Sequence, residues 1–299
     1  MSSAVDSSAP ALEFRGVSVS FEDRFTLDNV SFKLDRGQMI VITGNSGSGK
    51  SVLLHLAIGL LQPDQGEIFI DGRKINSLTE TELLDIRSRR MGLVFQEDTL
   101  FTALDVYENT AYRLVEHNLP EDEIDPAVME ILRFVGLEED TEKLPEELSI
   151  GMRRRLELAR ALVGWPSIML FDEPTSGLDP INSRQVLDLI IRARDVHDIS
   201  SLLVTKELHQ IPYLVSHHAA ELPNEEVAIL EGEGGRASQT KVMVLEDGRI
   251  VFTGTSAEFE SSTLPSVLKL THPETGTRRE SSNNPDPWSK KLKPKEPLF

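Results

Sequence analysis

The chain has 299 residues, 39% of them hydrophobic, enough to bury a core as one large domain or as a domain with a subdomain. Its formal charge of -18 repels phosphate backbones and anionic headgroups, so no nucleic-acid partner and no membrane contact through a basic surface is expected. Zero cysteines exclude disulfides, thiolate metal sites and cysteine nucleophiles.

The N-terminal MSSAVDSSAPA lacks the basic start and the apolar stretch of a signal peptide, and Asp6 argues against a transit peptide. Residues 1–11 are expected to be flexible. LEFRGVSVSF (12–21), NVSFKLD and QMIVITG predict three strands, the last an apolar run closing on glycine. GNSGSGKS (44–51) follows and should open a helix at Lys50. It matches G-x-x-x-x-G-K-[ST] between the strand and helix that the motif requires. In that setting the amides of Gly44, Asn45, Ser46, Gly47, Ser48 and Gly49 can turn toward the phosphates of a bound ligand. Lys50 supplies a point charge to the outer phosphates, and the Ser51 hydroxyl ligates Mg2+. A plain glycine turn is the competing reading, and the flanking elements count against it. VLLHLAIGLL (52–61), the longest nearly apolar stretch, is about half of the ~20 residues needed to cross a bilayer. Membrane association is therefore expected only through a partner.

GEIFIDGR (66–73) reads as a strand closing on an Asp-Gly turn, and GLVFQ (92–96) as a short apolar strand. The pattern then turns helical over about 97–160, with PEDEIDPAVMEILRFVGL the clearest amphipathic piece. Residues 116–147 set a run of Asp and Glu against only Arg133 and Lys143, a solvated face or a partner surface. Strands return at SIMLF and SLLVT, separated by a helix over 181–195. Such alternation predicts a parallel sheet with covering helices, interrupted by a helical insertion. KVMVLEDGRIVFTG predicts a hairpin through Glu246-Asp247-Gly248, after a glycine-rich polar loop, EGEGGRASQT, that reads as an insertion. From Thr271 the prolines and the basic WSKKLKPKEP form a tail without a core of its own, disordered or packed on another chain.

FDEPTSGLD (171–179) crowds Asp172, Glu173 and Asp179 at the end of an apolar strand, where uncompensated negative charge is expensive to bury. Beside the phosphate loop the crowding has a use. Asp172 can hold Mg2+ through water, and Glu173 can orient and polarise an attacking water. Capping of the turn at Pro174 is the plainer alternative.

LSIGMRRRLELARAL (148–162) resembles, in degenerate form, the LSGGQ signature of ABC ATPases: Ser149 and Gly151 are kept, while Ile150 and Met152 replace glycine and glutamine. A serine and a glycine-opened turn at a helix N-terminus make an anion site. The resemblance implies that this site binds the γ-phosphate of ATP held by the opposite subunit of a homodimer. It also implies that Gln96 senses Mg2+, that Phe21 stacks on adenine with Phe25 as its rival, and that Asp179 lies in a loop crossing the dimer junction. After SLLVT the family places a histidine, whereas this chain has Lys206, a catalytic position at which a protonated ammonium cannot accept a hydrogen bond. The resemblance covers about residues 12–256. It implies an α/β P-loop NTPase of ABC type, with a mixed sheet core, an antiparallel β subdomain and a helical insertion at 97–160. One ATPase domain is expected over 12–270, with an extension at 271–299.

FQEDTLFTALDVYENTAYRLVEHNLPEDEI is similar to the start of the helical subdomain in Mla/MCE-type lipid-transport ATPases, through Leu100, Phe101, Val106, Asn109, Ala111, Leu114, Glu116 and His117. Gly151-Met152 and GKSVLLHLAIGLL point the same way. By this resemblance the partners are an MlaE-like permease and an MCE-domain lipid-binding protein. The cargo is phospholipid or another hydrophobic lipid, and the location is the cytoplasmic face of a bacterial inner membrane. Relatives use C-terminal extensions to grip the opposite subunit, and a similar contact is expected. A soluble assembly ATPase without a permease is the rival reading, and a small-molecule kinase would leave LSIGM unexplained.

Overall fold

The apolar runs at 39–43, 168–172 and 200–204 are buried along their whole length, as only interior strands of a sheet covered on both faces can be. The computed structural model describes residues 9–271 apart from 22–23, 118, 223–226 and 233. In chain order these form β1 (Leu12–Phe21), β2 (Arg24–Leu34), β3 (Met39–Thr43), α1 (Lys50–Ala57), β4 (Gln65–Ile70), β5 (Arg73–Lys74), α2 (Glu80–Arg90) and β6 (Met91–Val94). Next come α3 (Val106–Glu116), α4 (Glu121–Val135), α5 (Ile150–Leu162), β7 (Ile168–Asp172), α6 (Pro180–Val196), β8 (Ser200–Val204) and α7 (Ile211–Ser216). The chain continues through β9 (His217–Glu221), β10 (Val227–Glu231), β11 (Lys241–Glu246), β12 (Arg249–Gly254), α8 (Ser256–Glu260) and α9 (Pro265–Thr271).

One sheet runs β12-β11-β3-β8-β7-β6. Its strands are parallel except β12, which returns antiparallel on β11 and makes the sheet mixed. A second sheet, β2-β1-β4-β5, is antiparallel. The period-2 alternation of side chains sorts the strands between two cores. Met39, Val41, Met169, Phe171 and Leu203 face a cluster built by α3, α4, α5 and α6. Ile40, Ile42, Ile168, Leu170, Leu202 and Val204 face a second cluster with α1 and the antiparallel sheet.

Four segments depart from the sequence reading. The helical stretch begins at Val106 rather than 97, because Asp105 and Glu108 form a capping box there. Before it, the buried Asn109 side chain holds the loop irregular, accepting from the Phe101 amide at 3.0 Å and donating to the Leu104 carbonyl at 2.8 Å. Helix α2 has a capping box of its own at Thr79 and Glu82, but only a weak apolar signal, with Leu83 its buried contact. Between α7 and β11 the antiparallel ribbon β9–β10 leads into the expected polar loop, which carries a 3-10 turn over Ala237–Gln239. Arg194 and Asp195 fasten this region: Arg194 Nη2 donates to the His217 carbonyl, and Asp195 accepts from the amides of Ala219 and Arg236. Ala11, within the terminus expected to be flexible, is buried and accepts from the Asp71 amide. Residues 1–8 and the tail from 272 lie outside the described residues.

Candidate functional site

Strand register gathers the sequence-predicted residues at one edge. Ile42 pairs with Val204 and Val204 with Asp172, while Val94 pairs with Phe171 one row earlier. The chain thus leaves the carboxyl ends of four parallel strands into residues 44–49, 95–96, 173 and 205–206. Such an edge is where ligands bind in α/β sheets. The Thr205 amide still reaches the Ile42 carbonyl (3.0 Å), and the Glu173 amide reaches the Val204 carbonyl (2.9 Å), so the exits are rigidly spaced.

In the phosphate loop, Gly44 and Gly49 have φ of 149° and 98°. A Cβ on Gly44 would stand 2.0 Å from the Leu245 carbonyl oxygen, so glycine is required by packing as well as by conformation. Lys50 is buried, and its Nζ donates to the carbonyls of Gly44 and Asn45, both at 2.8 Å. Burial pushes its ammonium below the ordinary lysine range, and the nearby Glu173 and Asp172 charges oppose that shift.

Asp172 is buried at the end of β7. Burial raises its carboxyl above the ordinary range, a hydrogen bond with Ser51 opposes this, and the Glu173 charge adds to it. Its Oδ1 is buried without a hydrogen-bond partner in the protein. A buried carboxylate oxygen left over beside a serine hydroxyl is a hard-oxygen donor set, and it fits Mg2+. Glu173 follows at φ 47°, in the left-handed region that costs a side chain of its size about 1–3 kcal/mol and that marks functional sites. Its Oε2 lies 2.6 Å from Lys206 Nζ, and this hydrogen bond raises the lysine's affinity for its proton.

The remaining residues divide. Gln96 follows β6, and its main-chain oxygen accepts from Arg154 Nη2 at 3.1 Å. Phe21, at the end of β1, packs against the second core, while Phe25 is largely exposed. Ser149 caps α5, its hydroxyl accepting from the Met152 amide at 3.2 Å. A Cβ on Gly151 would stand 2.0 Å from Asn182 Oδ1, so the signature turn packs directly on the start of α6. There Asp179 accepts from the amides of Ile181 and Asn182 and from the Asn182 side chain, and these bonds hold its carboxyl below the usual range. Ile150 and Ile181, 61% and 72% exposed, flank this junction. Among the described residues, no hydrogen bond or ion pair joins Ser149, Gly151 or Asp179 to residues 44–51. Within one chain Ser149 and Asp179 thus make their hydrogen bonds locally, at the starts of α5 and α6.

Two features were missed in the sequence. His55 Nδ1 lies 2.7 Å from the Ser51 carbonyl oxygen, and the four-residue spacing on α1 was the available signal. Glu157 sits buried against Arg154, its carboxyl pushed up to about 7 by burial. A glutamate inside the RRRLE run was the only cue.

The family profile described as ABC transporter matches residues 27–176. The chain is 38% identical to Protein TRIGALACTOSYLDIACYLGLYCEROL 3, chloroplastic, of Arabidopsis thaliana, over 87% of this chain and 72% of that one. It is 36% identical to the intermembrane phospholipid transport system ATP-binding protein MlaF of Haemophilus influenzae, over 77% of this chain and 86% of that one. A dimeric ATP-binding cassette solved in a post-hydrolysis state with ADP and Pi superposes with a TM-score of 0.67. Its identity is 26%, and the match spans 82% of this chain and 98% of the cassette. No helix among the described residues is long and apolar enough to cross a membrane. With its phosphate loop, paired carboxylates and signature turn on the fold of these cassettes, the chain belongs to the ABC transporter family as an ATP-hydrolysing subunit.

Proposed function

We propose that the chain powers a lipid transporter as a homodimer at the cytoplasmic face of a bacterial inner membrane. Its partners would be an MlaE-like permease and an MCE-domain lipid-binding protein, and its cargo phospholipid or another hydrophobic lipid. The observation that carries the chemistry is the unpartnered Asp172 Oδ1, buried beside Ser51 and within the electrostatic reach of Lys50. The lipid assignment draws on the relatives named above and on the 100–117 segment. There Phe101 and Tyr112 pack with ring centroids 4.5 Å apart, and both are partly exposed together with Val115. That patch offers an apolar rest for a permease helix.

The residues divide the work. Residues 44–49 present amides to the phosphates and Lys50 neutralises the outer ones. Ser51 and Asp172 would hold Mg2+, with Gln96 approaching from β6; the ion supplies charge neutralisation on the transferring phosphoryl group. Glu173 accepts a hydrogen bond from the attacking water and aligns it for in-line attack. Lys206 engages the same carboxylate, and hydrolysis requires Glu173 to turn from the ammonium to the water. Ser149 and the amides opening α5 face the γ-phosphate held by the partner subunit, so the triphosphate is neutralised from both sides only in the closed dimer.

The test is co-purification in detergent with a multi-span membrane protein, followed by phosphate release in phospholipid vesicles. Stimulation by the permease and loss of release in Glu173→Gln are expected. A chain that purifies alone from membranes and hydrolyses ATP at the same rate with or without lipid would support the soluble assembly reading instead.

A further inference from the structure

Helix α5 carries charged side chains that the chemistry above does not use, and they converge on one short stretch of main chain. Arg154 is buried and donates through Nη1 to the Phe95 carbonyl at 2.9 Å and through Nη2 to the Gln96 carbonyl at 3.1 Å. Glu157, also buried, takes Arg154 Nη1 on Oε2 at 2.6 Å and the Thr99 amide on Oε1 at 3.1 Å. Arg160 closes the far end, donating to the Thr99 carbonyl at 2.8 Å and to its hydroxyl at 2.6 Å. Arg153 lies 3.5 Å from Asp98. The same helix opens at the Ser149 cap. One rigid element thus bears the anion-facing turn at its tip and grips the segment around Gln96 along its flank.

We propose that Glu157 is a positioning residue: by ordering Arg154 and accepting from Thr99, it locks residues 95–99 onto α5, so that Gln96 and the Ser149 turn move as one body. This rests on the reading of Gln96 given above. A carboxylate suits the place because two acceptors are needed at once, one for a guanidinium and one for an amide, and a buried arginine without its counter-charge is costly. Ionisation of Glu157 governs the lock. Burial raises its carboxyl to about 7, opposed by Arg154, the Thr99 amide and Arg160, and reinforced by Asp98. Above that pH the carboxylate binds Arg154 as an ion pair; below it the proton removes the counter-charge and residues 95–99 loosen.

Glu157→Gln and Arg154→Lys in the full chain test the lock, with Glu157→Asp as the conservative rescue. In wild type, kcat/KM should rise with pH through an ionisation near 7, and this step should vanish in Glu157→Gln. KM for ATP should stay within about twofold while kcat falls, because residues 44–51 are untouched. Without nucleotide, amides of Gln96–Thr99 should exchange faster in both variants, and Glu157→Asp should recover part of kcat. An unchanged pH profile in Glu157→Gln, or wild-type exchange in Arg154→Lys, overturns the proposal. Gln96→Ala separates the two readings. If it lowers kcat while the Glu157 variants do not, only the lock is wrong. If it does nothing while Glu157→Gln loses its ionisation, the lock stands and the reading of Gln96 falls.

Discussion

Two ion pairs of similar chemistry, one at the end of α6 and one joining the residue after β7 to a residue after β8, differ in their surroundings as scaffold differs from candidate site. The side chains of Arg194 and Asp195 are buried and doubly bonded to each other at 2.8 Å. Arg194 also donates to the carbonyls of Leu214 and His217 and to Thr240, and Asp195 accepts from two amides. Its hydrogen-bonding capacity is committed to holding β9 and the loop before β11. Lys206 and Glu173 share one contact; the lysine side chain is 46% exposed and the glutamate 14%. A saturated pair cannot change partners without unfolding something, whereas a sparsely bonded pair can, and its neighbour Asp172 has an oxygen to spare.

Glu173→Gln should separate the pairs most sharply. Loss of the carboxylate should cut kcat by about 10²–10⁴-fold, while the unfolding midpoint holds, as paired phosphate-release and thermal-melt measurements will show. Arg194→Met should do the reverse. Removing one partner of a buried pair costs about 3–5 kcal/mol, read by urea unfolding, with the activity of the folded fraction intact. A smaller effect is expected from Lys206→His, which frees Glu173 for water: a rise in kcat of up to about tenfold, equivalent to ~1.4 kcal/mol of barrier, with unchanged stability. Unaltered turnover would mean that the lysine does not compete for the glutamate. Asp179→Ala should lower the melting temperature least. Its hydrogen bonds hold the carboxyl below the ordinary Asp value of about 3.9. Their stabilisation is therefore complete above that value and is lost as pH falls through the lowered one. The difference between wild type and variant should shrink at acid pH.

Much of the candidate site was legible because its signals are local. The phosphate loop, the apolar strands and the Asp172-Glu173 step each declare themselves within a few residues. What stayed hidden depends on partners far along the chain. Lys206 was visible as an odd residue after β8, but its contact with Glu173 exists because β7 and β8 are adjacent with Asp172 opposite Val204. Glu157 looked like one more charge on an amphipathic helix until residues 95–99 folded over it. The ribbon β9–β10 has mixed short runs, HHAAE and VAILE, that lack a strong period, and its place is set by Arg194 rather than by its own pattern. Helix α3 starts late because Asn109, a side chain with no periodicity signal, organises the loop before it.

The claim on which the rest depends is that one chain's phosphate loop and its partner's Ser149 turn enclose the same triphosphate. Light scattering of the Glu173→Gln chain with Mg2+ and ATP measures this directly. The mass should double on adding ATP and stay that of a monomer when Ser149→Glu, which sets a carboxylate against the phosphates, is also present. A monomer under both conditions, or a dimer indifferent to Ser149→Glu, would contradict it.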